Sequence, residues 1–304
     1  MKIYNNIKIH SKYFKSVLAI GNFDGIHLGH QKVIKEAKSK ALKKKIPFGI
    51  MTFEPVPVMF FNKNIRQHRI NSEQQKINQL KKFKLDFLII IKFNKKFSSY
   101  TAEEFIREII FKNIKSRYLY VSKNFKFGFK RQGNIYTLKK YQTNYGYKII
   151  ITKPYKKDKK FISSTLIRKK IQQGKIKEVN RLLKRDWSIE GNVIKGQKRG
   201  RKIGFPTCNI KLKNYVIPRL GVYAVKVKIN DLIKKGIANV GYRPTFKGKS
   251  LLLETNIFGI NKNLYNKVLT ISFKKFIRAE KKFKNLENLK KQIKIDIKKS
   301  KRNV

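Results

Sequence analysis

Cysteine, acidic residues and long apolar runs are all scarce in this chain of 304 residues. Its single cysteine, Cys208, excludes an internal disulfide and favours a reducing compartment. No apolar run approaches the roughly 20 residues that a membrane-spanning helix needs. The apolar stretch at 17–20 is too short for the core of a signal peptide. We therefore expect a soluble, cytoplasmic protein.

The shortage of acidic residues leaves a large positive charge. Only 17 Asp and Glu stand against 75 Lys and Arg, which gives a formal net charge of +58. Such a charge is typical of proteins that bind nucleic acid or an anionic surface. The cations are mostly lysines spread along the whole chain beside many Asn, Ile, Phe and Tyr residues, as drift in an AT-rich coding sequence would produce. We favour drift together with small anionic substrates, and we expect neither a specific nucleic acid nor a membrane as partner.

The hydrophobic content, 41% of the chain, is enough for two domain cores and too high for a disordered polycation. Over residues 1–185, short apolar runs alternate with helical patterns, which predicts an α/β domain with a parallel sheet. Over residues 186–304, alternating strand patterns punctuated by glycine and proline predict a small antiparallel barrel or sandwich, followed by a C-terminal helix. The predicted strands of the first domain are 16–20, 48–53, 87–93, 118–121 and 148–152.

Helical spacing predicts which faces of the helices are apolar. The helix that begins near Gln31 is expected to bury the face formed by Val33, Ile34, Ala37, Ala41 and Leu42. Two pairs resemble capping boxes that open further helices, Ser72 with Gln75 and Thr101 with Glu104. The terminal helix carries an apolar stripe at Leu286, Leu289, Ile293 and Ile297.

A glycine-rich turn with two histidines, GNFDGIHLGHQ at 21–31, follows the first predicted strand and opens a helix. Backbone N–H groups and the positive end of the helix dipole favour a phosphate at such a position. Gly25 and Gly29 allow a ligand to approach the backbone closely. His27 and His30 fall on the same side of the first helical turn, where they can donate hydrogen bonds to a reacting phosphate. A zinc site, which would need further ligands, and purely structural histidines are the alternatives.

A second glycine-rich segment, at 191–210, mixes glycines with basic residues. Its backbone N–H groups are suited to wrap phosphates, and a plain surface turn is the alternative. Thr207 and Asn209 alternate with the residues between and after them, so their side chains point the same way from a strand. A hydroxyl and an amide oxygen are hard ligands that suit Mg²⁺.

Glu254 is a carboxylate inside a predicted core strand, directly after three leucines. Because the chain has so few acidic residues, a carboxylate in a core strand is a candidate functional residue. It can serve as a general base that accepts a proton from a primary alcohol attacking a γ-phosphate. The alternative is a glutamate at a strand edge that pairs with a lysine.

The first motif resembles the HxGH signature of Rossmann-like nucleotidyltransferases. The longer string is similar to the FAD synthetase module of bacterial bifunctional riboflavin kinase/FAD synthetases. Three further segments agree, namely TFEP at 52–55, NFKFG at 124–128 and ISSTLIR at 162–168. The resemblance implies a Rossmann-like domain in which His27 and His30 are catalytic and Arg168 acts on the leaving pyrophosphate. It also implies a flavin contact at Asn124 and an ATP site at Gly21, Phe23, Asp24, Gly25, Gly29, Ser164 and Thr165.

The second half resembles the riboflavin kinase module, whose signature Gly-Phe-Pro-Thr-Ala-Asn differs here only by Cys208 in place of alanine. Three further segments agree, namely PRLGVY at 218–223, NVG at 239–241 and RAEKKF at 278–283. The resemblance implies that Thr207 and Asn209 hold Mg²⁺ with ATP and that Glu254 is the catalytic base. It also implies ATP contacts at Gly196 and Gly204 and a flavin contact at Arg278.

Three positions depart from these family patterns. Val56 replaces the usual histidine of Thr-Phe-x-Pro-His-Pro, and Asn256 replaces the usual histidine two residues after Glu254. The glycine that usually precedes the segment at Asn124 is absent. If the histidine missing at position 56 contacts nucleotide or flavin, adenylylation is slower here.

Together, the two resemblances cover nearly the whole chain and imply domains at 1–185 and 186–304. They imply an enzyme that converts riboflavin to FMN and FMN to FAD, with riboflavin, FMN and ATP as partners and Mg²⁺ as cofactor. Two alternatives remain. One is a nucleic-acid-binding protein built on an ATP-binding scaffold, and the other is an enzyme with an intact kinase and weak adenylyl transfer.

Overall fold

The computed structural model describes residues 1–62, 64–65, 67–157, 160–196, 199–245, 248–260 and 262–304. The chain forms two compact units, one of Met1–Arg66 with Glu73–Ser163 and the other of Gln67–Ser72 with Ser164–Val304. The boundary near Arg185 was predicted between two functional modules, whereas these units are defined by compactness. The predicted boundary therefore stays a prediction. Within the described residues, no helix combines the length and apolarity needed to cross a membrane.

The first unit is built on a six-stranded parallel sheet in the order β1-β4-β3-β2-β5-β6. Five of these strands match the predicted ones. The sixth, the three-residue edge strand β1, was missed because it carries no apolar run. The strands are β1 (Lys2–Tyr4), β2 (Val17–Ile20), β3 (Phe48–Glu54), β4 (Phe87–Lys92), β5 (Tyr118–Ser122) and β6 (Lys148–Thr152).

Helices pack on both faces of this sheet. Its helices are α1 (Leu28–Lys44), α2 (Pro57–Phe61), α3 (Glu73–Lys81), α4 (Lys95–Ser98), α5 (Ala102–Glu104), a π-helix (Phe105–Ile114) and α6 (Ile135–Tyr141). The chain also forms 3-10 turns at Ser11–Tyr13 and Phe129–Arg131 and a short ribbon of β7 (Lys156–Lys157) and β8 (Lys160–Phe161). One core lies between α1 and the sheet, and a second lies between the π-helix and the opposite face.

Alternate residues of the central strand β2 feed the two cores, with Val17 and Ala19 on one side and Leu18 and Ile20 on the other. The chain runs from β2 to β3 on one side and later to β5 on the other, so the strand order reverses at the carboxyl end of β2. Open α/β sheets bind ligands at such a reversal. The glycine-rich turn therefore lies where this architecture places a ligand.

The predicted faces of the helices hold with two corrections. The capping box at Thr101 and Glu104 is present, with both reciprocal hydrogen bonds. Leu42, however, is exposed, because it lies about 100° around α1 from Ala41 and falls outside the buried stripe. In the terminal helix, the fully buried residues are Asp296 and Ser300, whereas the apolar stripe stays partly exposed.

The second unit contains a closed six-stranded antiparallel barrel in the order β10-β13-β12-β11-β14-β9. The strands are β9 (Ser188–Ile194), β10 (Cys208–Lys211), β11 (Gly221–Ile229), β12 (Leu232–Thr245), β13 (Gly248–Ile257) and β14 (Val268–Arg278). Helices α7 (Ser164–Gln172) and α8 (Ile176–Leu183) precede it, α9 (Arg199–Lys202) interrupts it and α10 (Leu286–Lys301) ends it. An α/β domain with a parallel sheet, followed by an antiparallel barrel and a terminal helix, is the predicted fold class, which is thereby confirmed.

Candidate active sites

The first site is the turn between β2 and α1. His27 caps α1, and its Nδ1 accepts a hydrogen bond from the His30 N–H at 3.4 Å. A neutral His27 then carries its proton on Nε2, which is a donor. The two imidazoles stack with 3.8 Å between ring centroids, and the edge of Phe23 lies against His30. Folding therefore brings both histidines to the N-terminus of one helix, where the first N–H groups have no carbonyl partner within the helix.

The backbone of this turn is strained. Phe23, Gly25 and Ile26 all have positive φ angles, of 46°, 84° and 39°. A β-branched residue rarely adopts such an angle, and here it is held because the side chains of Phe23 and Ile26 are both buried in the core. Strain of this kind clusters at ligand sites. A Cβ on Gly29 would lie 3.1 Å from His27 Cε1, so glycine keeps the imidazole in place.

A buried lysine supports the turn from behind. Lys76 Nζ lies 3.3 Å from Thr52 Oγ1 and 3.4 Å from the Phe53 carbonyl. Thr52 Oγ1 in turn donates to the carbonyl of Asn22 at 3.1 Å. This chain of contacts fixes the start of the turn to the end of β3. The sequence analysis missed Lys76, because a lysine in a lysine-rich helix gives no signal of burial.

The other residues predicted for this site are distributed between the two units. Asp24 is buried within the turn, and Asn124 is exposed in the loop after β5. Ser164 and Thr165 begin α7 and therefore belong to the second unit. In the same unit, Arg168 Nε donates to the His68 carbonyl at 2.8 Å. Gly21 donates its N–H to the Met51 carbonyl, next to the start of the turn.

Val56, which replaces the family's usual histidine, is the N-terminal cap of α2. Its side chain is buried. An apolar side chain therefore occupies the position at which the family usually has an imidazole.

The second site is a cavity of about 1020 Å³ on the outer face of the barrel, walled by β-strands, the glycine-rich segment and α10. A single transverse row of cross-strand neighbours lines it, one residue from each strand. The row consists of Ile194, Asn209, Glu254, Asn239, Val222 and Arg278. Asn209 and Glu254 are direct partners on β10 and β13. The predicted metal ligand and the predicted base are thus side by side.

The glycine-rich segment has no room for a Cβ at three positions unless a neighbour moves. A Cβ on Gly191 would overlap the Ile210 side chain, one on Gly196 would overlap the Asn209 amide, and one on Gly200 would overlap the Phe205 carbonyl. Gly204 has a φ of 87°, which favours glycine. Gln197 and Lys198, also part of this segment, lie outside the described residues.

Asn209 is 8% exposed, and its Oδ1 has no hydrogen-bond partner among the described residues. A buried acceptor without a partner costs about 1–3 kcal/mol, which a bound ligand can offset. Thr207 supplies a hydroxyl to the same cavity. An amide oxygen and a hydroxyl are the hard oxygen donors that Mg²⁺ prefers, so these residues fit that ion. In the described part of the chain, no group of three or more His, Cys, Asp or Glu side chains offers a different metal site.

A network of charges at the cavity wall was not predicted. Arg243 donates to Glu254 Oε2 from Nη2 at 2.6 Å and from Nε at 3.1 Å. Its Nη1 also lies 3.3 Å from Glu280 Oε1. The alternative interpretation predicted that Glu254 pairs with a lysine. This partner is wrong, because Glu254 pairs with Arg243, which lines the cavity. The scarcity of acidic residues was the one sequence signal for this network, because a partly buried carboxylate in a chain so rich in cations is expected to pair with one of them.

Arg278 joins the barrel to α10. Its Nε donates to Asp296 Oδ2 at 2.8 Å, and Gln292 donates to the other carboxylate oxygen at 2.9 Å. Asp296 is only 2% exposed. The predicted flavin-contact residue thus lines the cavity while its guanidinium is engaged with the helix.

The opposite side of the cavity is largely apolar. Its walls there are formed by Ile203, Phe205, Phe283, Leu286, Leu289 and Ile293. The partly exposed stripe of α10 is therefore part of the cavity wall rather than of a core, which suits a flat aromatic ligand.

Comparison with known proteins agrees with this geometry. The FAD synthetase family model matches residues 10–166, and the riboflavin kinase family model matches residues 183–304. The bifunctional riboflavin kinase/FMN adenylyltransferase of Buchnera aphidicola subsp. Schizaphis graminum is 40% identical over 97% of this chain and 95% of its own length. That of Bacillus subtilis is 37% identical over 93% of this chain and 90% of its own length.

A solved structure shares the fold over nearly all of both chains. The crystal structure of a protein from Streptococcus pneumoniae described as a macrolide-efflux protein has a TM-score of 0.86 and 30% sequence identity. It covers 98% of this chain and 98% of that one. The family resemblance predicted from the motifs is therefore confirmed over the full length.

Proposed function

Because the chain belongs to the family of bifunctional riboflavin kinase/FMN adenylyltransferases, we propose that it phosphorylates riboflavin to FMN and then adenylylates FMN to FAD. One observation carries the proposal: each unit contains a glycine-bounded turn or segment beside polar side chains whose chemistry suits one of the two reactions. ATP is the phosphoryl donor of the first reaction and the adenylyl donor of the second. The predicted cytoplasmic location belongs to this proposal.

The kinase reaction takes place in the barrel cavity. Glu254 accepts the proton of the terminal ribityl hydroxyl, whose oxygen attacks the γ-phosphorus while the bond to the leaving ADP breaks. Backbone N–H groups near Gly196 and Gly204 hold the phosphates. Thr207 and Asn209 would hold Mg²⁺, which when bound supplies charge neutralisation on the phosphate oxygens. The apolar wall with α10 receives the flavin ring, and Arg278 keeps that wall in place.

The adenylyl transfer takes place at the turn before α1. A phosphate oxygen of FMN attacks the α-phosphorus of ATP, and pyrophosphate leaves. His27 and His30 donate hydrogen bonds to the oxygens on which charge develops, supported by the N-terminus of α1. Gly21, Phe23, Asp24, Gly25 and Gly29 shape the ATP site, and Asn124 contacts the flavin. The family resemblance assigns the leaving pyrophosphate to Ser164, Thr165 and Arg168.

Neither reaction needs a thiolate. Burial raises the pKa of the Cys208 thiol to about 11, so this thiol stays protonated at neutral pH. Its Sγ lies 3.4 Å from the Thr255 carbonyl, on the inner side of β13. The cysteine therefore acts as a small core residue, in the position where the family usually carries alanine.

Two substitutions separate the reactions. We expect His30→Ala to lower FAD formation from supplied FMN by about 100-fold or more, since it removes a donor to developing charge. FMN formation from riboflavin should be unchanged. Glu254→Gln, which keeps the shape of the side chain, should give the reverse. The products of riboflavin, ATP and Mg²⁺ are separated and quantified by liquid chromatography.

Folding of the second unit is checked in the same samples by the fluorescence of Trp187, the only tryptophan of the chain, which is fully buried there. Folding of the first unit is checked by circular dichroism. If either variant keeps both native signals and yet loses both reactions, the division of labour between the two sites is wrong. If His30→Ala keeps FAD formation, the assignment of the adenylyl site is wrong.

A further inference from the structure

We propose that Arg243 is a positioning residue for Glu254, which holds one carboxylate oxygen and leaves the other to receive the substrate proton. The inference rests on the proposed function, in which Glu254 is the base of the kinase reaction. It adds a residue that the family motifs did not single out.

The contacts between the two side chains are one-sided. Arg243 reaches Glu254 through two donors, Nη2 at 2.6 Å and Nε at 3.1 Å, and both bind the same oxygen, Oε2. Among the described residues, no hydrogen bond to Oε1 is formed. A carboxylate held at one oxygen by a rigid guanidinium cannot rotate freely, so the position of Oε1 is set in advance. Oε1 is therefore the atom that accepts the proton.

Arg243 is itself held by groups other than Glu254. Its Nη1 donates to the Tyr242 carbonyl at 3.0 Å and lies 3.3 Å from Glu280 Oε1. Asn239 Nδ2 donates to the same oxygen of Glu280 at 3.3 Å. Glu280 follows β14, whereas Arg243 and Asn239 lie on β12. The guanidinium is thus fixed between two strands and a loop, and it cannot follow Glu254 if that side chain moves.

The backbone next to this bridge leaves room for it at Gly241. A Cβ at this position would overlap Glu280 Oε1 and would lie 2.8 Å from Arg243 Nη1. The φ angle of Gly241 is not in the left-handed region. A side chain here would therefore displace the ends of Glu280 and Arg243, and glycine leaves their contact undisturbed.

The two carboxylates around Arg243 keep its guanidinium charged. Burial alone would lower the pKa of Arg243, but the hydrogen bond and charge of Glu254, followed by those of Glu280, raise it above its ordinary value. Arg243 therefore stays protonated and holds Glu254 by charge-assisted hydrogen bonds. The other charged groups of the cavity wall are Lys195, Lys211, Arg278, Glu280, Lys281 and Asp296.

The test compares two variants. Arg243→Gln removes both the positive charge and the paired N–H donors of the guanidinium, whereas Arg243→Lys keeps the charge but not the paired donors. We expect both to lower kcat for FMN formation, Arg243→Gln by about 100-fold, with KM for ATP changed less than about 3-fold. Arg243→Lys should lose less of kcat than Arg243→Gln, since a lysine keeps the charge but not the paired donors. Added guanidinium ion, but not urea, should partly restore the rate of Arg243→Gln.

Several measurements in the same samples distinguish a positioning role from a structural one. In the Arg243 variants, FAD formation from supplied FMN and the Trp187 fluorescence should stay at wild-type values. The control variant Arg302→Gln changes an exposed arginine after α10, and its rate of FMN formation should equal that of the wild type. Glu280→Gln should lose about 3- to 10-fold in kcat, since it loosens Arg243 without removing it. This last variant keeps the test decisive if Arg243→Gln fails to fold.

The outcomes are distinct. A wild-type kcat in Arg243→Gln would overturn the inference, as would a rate loss that guanidinium does not restore or a KM for ATP that changes as much as kcat. Unchanged FMN formation in Glu254→Gln would instead remove the proposed base, and with it the function on which the inference depends.

Discussion

Asn256 is a departure from the family pattern whose consequence depends on a single hydrogen bond. Its Nδ2 donates to the Pro206 carbonyl at 2.6 Å. Pro206 precedes Thr207, so the amide ties the segment that carries the proposed metal ligand to β13. An imidazole N–H can make the same type of bond, which explains how asparagine replaces the usual histidine without loss of the contact.

This contact gives a prediction at the level of one atom. Asn256→Asp replaces the donor with a negatively charged acceptor that faces a carbonyl, so the bond is lost and the segment at Thr207 loosens. We expect KM for ATP in the kinase reaction to rise by about 10-fold, measured from initial rates at saturating riboflavin. Asn256→His should stay close to wild type, and FAD formation should not change in either variant. An unaltered KM in Asn256→Asp would show that the tether does not matter.

Which residues the sequence revealed depends on how far apart the interacting partners are. His27 and His30 are three residues apart, and Thr207 directly precedes β10, on which Asn209 lies two residues later. Each pair is close in sequence, so a local pattern is enough to bring its two members together. Arg243 and Glu280 are 37 residues apart and meet only through strand pairing. No local pattern contains that information, and the charge network was therefore missed.

The terminal helix α10 is attached to the barrel by polar contacts, which a helix pattern does not predict. Ser300 Oγ donates to the Gly236 carbonyl at 2.8 Å, and Asp296 pairs with Arg278. Its apolar side chains line the cavity instead of filling a core. The stripe at 286–297 was correctly identified as apolar, but its role could not be derived from periodicity, since a core and a ligand wall give the same pattern.

Breaking this attachment should loosen the cavity wall. In Asp296→Asn we expect the free energy of unfolding of the second unit to fall by about 2–3 kcal/mol, because a nearly buried carboxylate loses its pairing with Arg278. KM for riboflavin should rise, while FAD formation from supplied FMN stays the same. Urea unfolding followed by the fluorescence of Trp187 reports on this unit, because the indole lies in its core.

The matched control lies on the same helix. Glu287 pairs with Lys291 at 3.0 Å, but its side chain is 73% exposed. Glu287→Gln should therefore change the free energy of unfolding by no more than about 0.5 kcal/mol. Equal losses in the two variants would mean that the buried pair does not attach α10.

At the level of the whole molecule, the sequence predicted the two folds but not the path of the chain between the units. Residues 67–72 cluster with the second unit although both flanking segments belong to the first. Trp187 Nε1 donates to the Ile70 carbonyl at 2.9 Å, which anchors this excursion. The contact joins residues 117 positions apart, and neither segment carries a pattern that indicates the other.

The net charge of +58 should act on the rate at which substrates are captured. We expect kcat/KM for ATP in both reactions to fall several-fold as the KCl concentration rises from about 20 to 300 mM, with kcat nearly constant. Binding of a random DNA duplex, followed by gel shift, should weaken by about a thousandfold between about 50 and 200 mM salt. At the higher salt, DNA should not alter riboflavin turnover. Tight, salt-resistant DNA binding without turnover would support the nucleic-acid alternative.

The transverse row around the barrel has a consequence for the recovery of activity after denaturation. Each of the six strands contributes one member, and side chains alternate between the two faces of a strand except at irregularities such as the two register shifts between β11 and β14. If the pairing of any strand shifted by one residue, the residue that this strand contributes to the row would face the barrel interior, and a core side chain would face the cavity. Recovery of riboflavin phosphorylation after refolding would then show, in a single assay, that all six pairs of neighbouring strands had regained their native register.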